Sequence, residues 1–419
     1  MVKFREDSGM PDTAPEPSLS EEAFVAEARA FLDTHLDRRP PESFAWGEGS
    51  DDVSLFPERT PEESAAELES AKAWARTAFD AGFGWISGPE QYGGRGLPRS
   101  YQRAYQTLAR DYLVPPQSPF GIGLGMVAPT ILAHGTDEVK EAYLRHMYRG
   151  DLVGCQLFSE PGAGSDLASL QTRAVRDGDE WVVNGQKVWT SGAQFSDIGE
   201  VICRTDPDLP KHRGLTGFVV DMHAPGVEVR PLRQMTGGSS FNEVFFTDVR
   251  IPDSHRLGDV NGGWTVALTT LMNERAAIGG GGGGVHLPTH RYLIEMARAK
   301  GRSGDPLIRQ QLASVIINDR VSSYTTQRSL AKIAAGQLPG PELSLAKLAL
   351  TANMVRTYEL VSSILGPELV ADSGGWGTYV WSQYLLGVPG MRVAGGSDEV
   401  MRNIIGERVL GLPKEPSPA

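Results

Sequence analysis

The spacing of apolar residues changes twice along the chain. From Ser20 to about Gly150 they recur every three or four positions, which is typical of amphipathic helices. From Asp151 onward, short β-prone runs are separated by Gly, Pro and Asp, which predicts a unit of many short strands. Helical spacing returns from Gly262. This helical–β–helical order excludes a dinucleotide-binding βαβ domain, in which strands and helices alternate.

The β unit carries one strong local signal. The segment WVVNGQKVWTSG places Asn184-Gly185 between two short β-prone runs, which predicts a hairpin turn at these two residues. Further strands are predicted in EVICRT, TGFVVDM, GVEVRPL and NEVFFTDVRIP.

The chain length sets the number of domains. At 419 residues it exceeds the roughly 250 to 300 at which a single core stops growing, so about three domains are expected. We predict an α+β protein with long antiparallel helices at its C-terminal end. The predicted parts are a disordered N-terminal tail (1–19), an N-terminal α-helical domain (20–152), a central β domain (153–261) and a C-terminal helical bundle domain (262–419).

Charge and cysteine content exclude several classes of function. The net charge is -12 and no basic block occurs, which argues against nucleic acid or an anionic membrane as a partner. No apolar run reaches 18 residues, so no membrane insertion is expected. The two cysteines, Cys155 and Cys203, lack metal-ligand spacing, so we expect no metal site and no disulfide scaffold. A reducing, cytoplasmic location fits.

A glycine-rich turn opens the β unit, in CQLFSEPGAGSD from Cys155 to Asp166. Its small residues permit close approach of a ligand, and successive N–H groups in such a turn form an anion nest. The Lys-Ser/Thr pair of a Walker loop is absent. Taken alone, the segment is explained at least as well by a tight turn between a helix and a sheet.

Three segments together resemble the acyl-CoA dehydrogenase family: SEPGAGSD, NGQKVWTSG and GGSDEVMRNIIGERVLGLP. The loop YGGRGL, the segment FNEVFFTDVRIP and the C-terminal GGWGTYVW are also similar, and the resemblance extends over the chain from about Phe24. It implies an N-terminal helical domain, a small central β-barrel or sandwich and a C-terminal four-helix bundle. It also implies FAD as cofactor, an acyl-CoA thioester as substrate, and a role in fatty acid metabolism such as β-oxidation.

The resemblance implies a set of sites. The residues similar to the family's FAD-binding positions are Gln156, Leu157, Phe158, Ser159, Gly164, Ser165, Trp189, Thr190, Ser191, Arg302, Ser397, Asp398 and Glu399. Those implied for substrate binding are Ser165, Arg275 and Gly396. Considered alone, Trp189 would be a buried strand aromatic. Arg302 stands in KGRSGDP, which departs from the family's RxxFG segment, and Gln156 replaces a residue that is often aromatic.

The catalytic base needs a separate argument. Removal of an α-proton requires a carboxylate in a dry pocket, and many family members carry it at the position of Gly395, which has no side chain. In other members it lies on the first helix of the C-terminal domain, where this chain has Glu274 in LMNERAAIGG. Helical spacing puts Glu274 on the apolar side, where desolvation raises a carboxyl pKa. We assign Glu274 as the base; an internal Glu274–Arg275 ion pair or a cross-helix ion pair is the alternative. The resemblance implies that the Gly395 N–H donates to the thioester oxygen.

Two features remain open. Gly279 to Gly284 interrupt the helix that carries Glu274, so either the helix breaks or the missing side chains make room for a bulky acyl group or a close helix neighbour. The resemblance implies electron transfer to an electron-transfer flavoprotein and a homodimer or homotetramer, or a heteromer with a related subunit. An oxidase of the same fold and a non-catalytic subunit of a heteromer are the alternative functions.

Overall fold

The computed structural model describes residues 19–41, 44–279, 289–334, 341 and 343–414. Contacts within the chain divide it into two units. The first comprises 1–40 with 77–114, and the second comprises 41–76 with 115–419. The long helix α2 (Pro61–Asp80) has residues in both. The domain boundaries expected from the sequence remain a prediction.

The first unit consists of helices packed around aromatic side chains. Its helices are α1 (Glu21–His35), the end of α2 and α3 (Arg99–Ala109). α1 begins at Ser20, whose hydroxyl accepts a hydrogen bond from the Ala23 N–H and so satisfies one free donor of the first turn. The aromatic contacts of this unit involve Phe24, Phe31, Phe83, Tyr101 and Tyr105.

The second unit contains the β-sheet. Its strands among the described residues are β1 (Gly154–Leu157), β2 (Arg173–Asp177), β3 (Glu180–Ser191), β4 (Ile198–Arg204), β5 (Leu215–Asp221), β6 (Val227–Leu232), β7 (Phe241–Pro252) and β8 (Arg256–Leu257). They lie in the order β6-β7-β3-β2-β4-β5-β8, and β1 pairs in parallel with β4. The strand segments after the first hairpin therefore form as predicted. β4 is buried along nearly its whole length, because the sheet core covers one face and a helix packs against it on the other.

The predicted hairpin turn at Asn184-Gly185 is wrong. β3 continues through both residues, and its register with β7 shifts there, so the pair forms a bulge. Gly185 is needed because a Cβ would lie within 2.4 Å of the Thr172 hydroxyl, and the Asn184 side chain bonds Asp248 across the strands. The actual turn is two residues long and contains Gly178 at φ 65°. The Asp-Gly signal in RDGDE marks it.

Helices flank the sheet in sequence. Before it come α4 (Ala128–His134) and α5 (Asp137–Arg149), preceded by a π-helical turn at Gly123–Val127. After it come α6 (Gly263–Gly279), α7 (His290–Ala299), α8 (Pro306–Ala334), α9 (Leu343–Leu365), α10 (Trp381–Val393) and α11 (Asp398–Ile404), with a last π-helical turn at Ile405–Val409. α6 ends at Gly279, and positions 280–284 of the glycine run lie outside the described residues. Both interpretations therefore stay open: a break in the helix, or room for a bulky acyl group or a close helix neighbour.

Two absences hold for the described part of the chain. None of its helices has the length and apolarity needed to cross a membrane. No group of three or more His, Cys, Asp or Glu side chains there is arranged to hold a metal ion.

Candidate active site

The glycine-rich turn follows β1 directly. It closes on itself because Glu160 and Ala163 exchange backbone hydrogen bonds of 3.0 Å in both directions. A Cβ added to Gly162 or Gly164 would meet no atom within 4 Å, so the outer face of the turn is open. Ser165 is exposed at its end. The turn is therefore held from inside and free outside, as a ligand cradle requires.

A buried ion pair holds this turn from inside. The Lys187 ammonium on β3 is fully buried and donates to the Phe158 carbonyl at 3.0 Å and to the Glu160 carboxylate at 2.9 Å. The backbone N–H groups of Gln171 and Thr172 donate to the same carboxylate. Burial raises the pKa of Glu160, but Lys187 and these donors outweigh it and leave the pKa lowered. The pair joins the SEPGAGSD and NGQKVWTSG segments.

β3 is distorted two residues after Lys187. Its register with β7 shifts again between Lys187 and Thr190, and Trp189 has φ 62°, a left-handed conformation that is strained for a tryptophan. The bulge turns the indole outward, where it is 57% exposed and lies edge-on to Phe241. The neighbouring Thr190 hydroxyl is buried and has no hydrogen-bond partner among the described residues. Trp189 is thus exposed, not a buried strand aromatic.

Glu274 lies on α6 beside the start of the turn. The residue is half-buried, and the Gln156 side chain donates a hydrogen bond to its carboxylate. Burial of the carboxyl raises the pKa of Glu274, while Arg275, Gln156 and Lys347 oppose the rise without cancelling it. A raised carboxyl pKa suits a base that must hold a proton during turnover. Arg275, the next residue, opposes this rise electrostatically, so the alternative of a Glu274–Arg275 ion pair stays open.

Arg275 has an unusual environment. Its Nε is buried without a hydrogen-bond partner among the described residues, and Arg408 lies close enough to disfavour its charge. Burial is the largest cause of its lowered pKa, and Glu274 opposes it. A buried guanidinium with a free N–H can donate to a ligand atom placed beside Glu274.

The segment AGGSDE forms a turn before α11. Gly395 and Gly396 have φ values of 68° and 92°, which favour glycine at both positions. The Ser397 hydroxyl caps α11 by accepting from the Val400 N–H, and Glu399 is exposed. The Asp398 carboxylate is buried and bonds Thr351 at 2.8 Å and Arg392 at 2.7 Å. Glu399 also pairs with Arg402 at 3.7 Å, so all three side chains that the resemblance places near FAD have partners within the chain.

Arg302 also has partners within the chain. It lies between α7 and α8, where its guanidinium donates to Asp305 at 2.8 Å and to the Ser363 carbonyl at 3.2 Å. It is not part of the cluster around Glu274 and the glycine turn. Its predicted contact with FAD stays a prediction.

Sequence reasoning missed the residues that hold the site together. Glu160 and Lys187 stand inside the recognised segments, yet nothing in their spacing indicates that they pair. Lys347 on α9 and Glu200 on β4 lie in segments that carried no functional signal. A charged residue within an otherwise apolar helix or strand was the available sign, because such a group is buried only when it has a partner.

Comparison with known proteins decides the family. Family models for the acyl-CoA dehydrogenase N-terminal, middle and C-terminal domains match residues 18–151, 155–249 and 261–410. Acyl-CoA dehydrogenase IpdE1 of Mycobacterium tuberculosis is 37% identical over 357 residues, which are 83% of this chain and 89% of that protein. The chain belongs to the acyl-CoA dehydrogenase family. The resemblance expected from the sequence is confirmed, as is the fold class.

Other relatives agree with this assignment. Acyl-CoA dehydrogenase FadE34 of M. tuberculosis is 39% identical over 327 residues, but the chain spans only 44% of that protein. The structure of the Tcur3481-Tcur3483 steroid ACAD has a TM-score of 0.72 at 27% identity, with 94% of this chain and 98% of that chain covered. The ChsE4-ChsE5 complex from M. tuberculosis gives 0.69 at 28%, with 97% and 100% covered.

This acyl-CoA dehydrogenase is an oxidoreductase, and FAD is the cofactor of its family. Its residues fit a flavin. The open face of the glycine turn, the exposed Trp189 and the unpartnered Thr190 hydroxyl provide room, an aromatic surface and a free hydrogen-bonding group. Gln156, Leu157, Phe158, Ser159, Gly164, Ser165 and Ser191 belong to the same two segments and remain the predicted binding residues.

Proposed function

We propose that this enzyme converts an acyl-CoA thioester to the trans-2-enoyl-CoA with Glu274 as the base. The observation that carries the proposal is the Glu274 carboxyl, held by Gln156 beside the glycine turn with its pKa raised by burial. The carboxylate takes the α-proton, and bound FAD supplies the acceptor for the hydride that leaves the β-carbon. Bound FAD and acyl-CoA would cover the half-buried carboxylate and exclude water from the proton transfer.

The AGGSDE turn supplies the second part of the site. Removal of the α-proton puts negative charge on the thioester oxygen, which a backbone N–H can stabilise. Gly395 offers that N–H without a side chain to block the substrate, and Gly396 leaves the neighbouring backbone open. The free Nε–H of Arg275 provides a further donor near the base.

A groove at the start of α6 fits the nucleotide end of CoA. It has a volume of about 560 Å³ and is lined by Leu209, His212, Arg213, Asn261, Gly262, Trp264 and Thr265. The His212 and Trp264 rings lie 4.7 Å apart and offer an aromatic platform for adenine. Arg213 offers a cation to phosphate in a protein that is acidic overall.

Helix geometry relates this groove to the base. Trp264 and Glu274 are ten residues apart on one helix, which spans roughly 15 Å, about the length of an extended pantetheine arm. Lys211, next to His212, bonds both oxygens of Asp166 at 2.7 and 2.8 Å, so the groove lies beside Ser165. This position supports the implied role of Ser165 in substrate binding. We include Ser165, Arg275 and Gly396 in the proposed substrate site.

We further propose that electrons pass to an electron-transfer flavoprotein and that the chain assembles as a homo-oligomer or with a related subunit. Two structural neighbours bear names of two-protein assemblies, ChsE4-ChsE5 and Tcur3481-Tcur3483. The second is named a steroid ACAD, which supports trying bulky ring substrates. Turnover of short, long and steroid-like acyl-CoAs with a dye acceptor identifies the preferred acyl group.

Glu274→Gln tests the proposal. It keeps the shape of the side chain but cannot take a proton, so anaerobic flavin bleaching by acyl-CoA should slow by about 10²- to 10⁴-fold. FAD and acyl-CoA should still bind. Glu359→Gln, at an exposed position of α9, is the matched control and should bleach at the wild-type rate. Bleaching of Glu274→Gln as fast as wild type would show that another group is the base.

Gly395→Glu in the Glu274→Gln background tests whether the base can be moved to the position that many family members use. The φ of 68° at Gly395 is strained for glutamate, so we expect at most a small recovery. Recovery to near the wild-type rate would show that the turn adapts.

A further inference from the structure

Lys347 on α9 is a fully buried lysine outside the recognised segments. Its ammonium donates to the Arg392 carbonyl at 3.0 Å, to the Gly396 carbonyl at 2.8 Å and to the Asp398 carboxylate at 3.4 Å. An ammonium group has three N–H donors, and all three have an acceptor. Burial lowers the pKa of Lys347, whereas Asp398 beside it favours the charged form.

Two of these acceptors lie on either side of Gly395. The Arg392 carbonyl comes three residues before it, and the Gly396 carbonyl comes directly after it. Left-handed glycines are conformationally free, so such a turn needs external bonds to keep one geometry. Lys347 fixes both ends, and Asp398, bonded to Arg392 and Thr351, fixes the start of α11.

Helix α9, which carries Lys347, packs against α6, which carries Glu274, so the same cation also acts on the Glu274 carboxyl. Lys347 is one of the groups that oppose the burial-driven rise in the pKa of Glu274. The other ionisable groups beside α6 include Arg275 on the helix itself, His134 on α4, which bonds Thr269, and Glu200 on β4, which bonds Thr270. Arg408 in the last π-helical turn acts on Arg275, and the His212 ring packs against Trp264. Among the described groups, Lys347 alone contacts the AGGSDE turn and also favours the Glu274 carboxylate.

We propose that Lys347 is a positioning residue that couples the base to the turn carrying the Gly395 N–H. It holds the turn in the conformation that presents this N–H, and its charge favours the proton-accepting form of Glu274. The inference rests on the proposed roles of Glu274 and Gly395. It predicts that one substitution outside the recognised segments changes both the geometry of the turn and the ionisation of the base.

The test uses the FAD-loaded protein in two variants and a control. Lys347→Met removes the charge and the three donors, and Lys347→Met/Asp398→Asn also removes the carboxylate that would be left without its lysine. The double variant avoids a buried unpaired charge and keeps the test valid if the single variant unfolds. Lys140→Met, which removes a lysine from α5 that pairs with Asp137, is the control.

The first measurement is hydrogen–deuterium exchange of the amides at 394–398 without substrate. Both Lys347 variants should exchange roughly tenfold faster there, because hydrogen bonds that close the turn are lost, and the control should match wild type. This readout does not depend on activity. Unchanged exchange in both variants would show that Lys347 does not hold the turn in place.

The second measurement is the pH dependence of kcat/KM. The rate rises with pH as Glu274 loses its proton, and loss of a cation that favours the carboxylate moves this acid limb to higher pH. We expect kcat to fall by more than KM rises, because the turn acts on charge that develops in the transition state. If the amides at 394–398 exchange faster but the acid limb of kcat/KM does not shift, Lys347 holds the turn without acting on Glu274, and the proposed coupling is wrong. If the wild-type enzyme dehydrogenates no acyl-CoA, the proposed function fails. The exchange measurement still tests whether Lys347 holds the turn.

Discussion

Two buried lysines hold the two glycine turns of the site, and they differ in their surroundings. Lys187 anchors the SEPGAGSD turn and Lys347 anchors the AGGSDE turn; both are fully buried and both bond a carbonyl of their turn and a carboxylate. Glu160 receives one cation and two backbone N–H groups. Asp398 receives two cations and a hydroxyl.

The difference indicates separate tasks. The Lys187 pair lies within the sheet, and Glu160 takes up its positive charge, so its effect is local to the turn. Lys347 shares its carboxylate with Arg392, and its charge also acts on Glu274. The Lys187–Glu160 pair therefore stabilises only the SEPGAGSD turn, whereas the lysine of the Lys347–Asp398 pair also acts on the pKa of the base Glu274.

Lys187→Met should have the largest effect on stability. It leaves the Glu160 carboxylate buried with only backbone donors, and breaking a buried pair costs about 3 to 5 kcal/mol. Urea unfolding should show this loss, and the protein should lose FAD because the turn is no longer held. Lys211→Met, which removes an exposed pair with Asp166, should cost less than about 1 kcal/mol. Equal stabilities of the two variants would mean that the Lys187 pair contributes little.

The sequence predicted the order of helices and strands because periodicity is a local property. It also predicted that Glu274 lies on the apolar side of α6, and the structure places its carboxyl against Gln156. It could not predict the two lysine pairs. Glu160 and Lys187 are 27 residues apart and Lys347 and Asp398 are 51 apart, and such contacts follow from sheet register and helix packing.

One error came from a local signal that was weighed wrongly. Asn184-Gly185 favours a hairpin, but β3 pairs with β7 through it, so the tertiary partner overrode the turn preference. The true turn contains Gly178, two residues before β3 begins at Glu180. Ser397 before Asp-Glu is a helix-start signal, and it caps α11.

Glu200 is a buried carboxyl whose pKa is not lowered by a neighbouring cation. It is fully buried on β4, accepts from Thr270 at 2.7 Å, and has its second oxygen unpartnered among the described residues. Burial raises its pKa to about 8. The folded protein therefore keeps a proton that the unfolded chain loses above its ordinary pKa of 4.5. Stability should fall as pH rises from 4.5 to about 8, by about 1.4 kcal/mol per pH unit from this group.

Glu200→Gln should remove this dependence, because the amide is neutral and its oxygen can still accept from Thr270. The free energy of unfolding of the variant relative to wild type should increase steadily between pH 5.5 and 8. Exposed Glu228→Gln is the control and should show no such trend. A difference between Glu200→Gln and wild type that is constant with pH would contradict the raised pKa.

Thr190→Val probes the β3 bulge that follows Lys187. Its hydroxyl is buried with no partner among the described residues, so its removal should leave the FAD-free protein as stable as wild type or slightly more stable. If the hydroxyl bonds the flavin, FAD affinity should fall by roughly tenfold, which titration of flavin fluorescence measures. Thr216→Val, at a buried threonine of β5, is the control for packing. Unchanged FAD affinity would remove Thr190 from the cofactor site.

Ser397→Ala makes the corresponding test at the turn that Lys347 anchors. The Ser397 hydroxyl caps α11, so its loss should cost about 1 kcal/mol of stability whether or not FAD is bound. Ser397→Asp retains a capping acceptor and should recover that stability. If Ser397 also contacts FAD, as the resemblance implies, alanine should lower FAD affinity beyond the stability loss, and aspartate should not restore it. Equal recovery of stability and FAD affinity in Ser397→Asp would show that the residue acts through the helix cap alone.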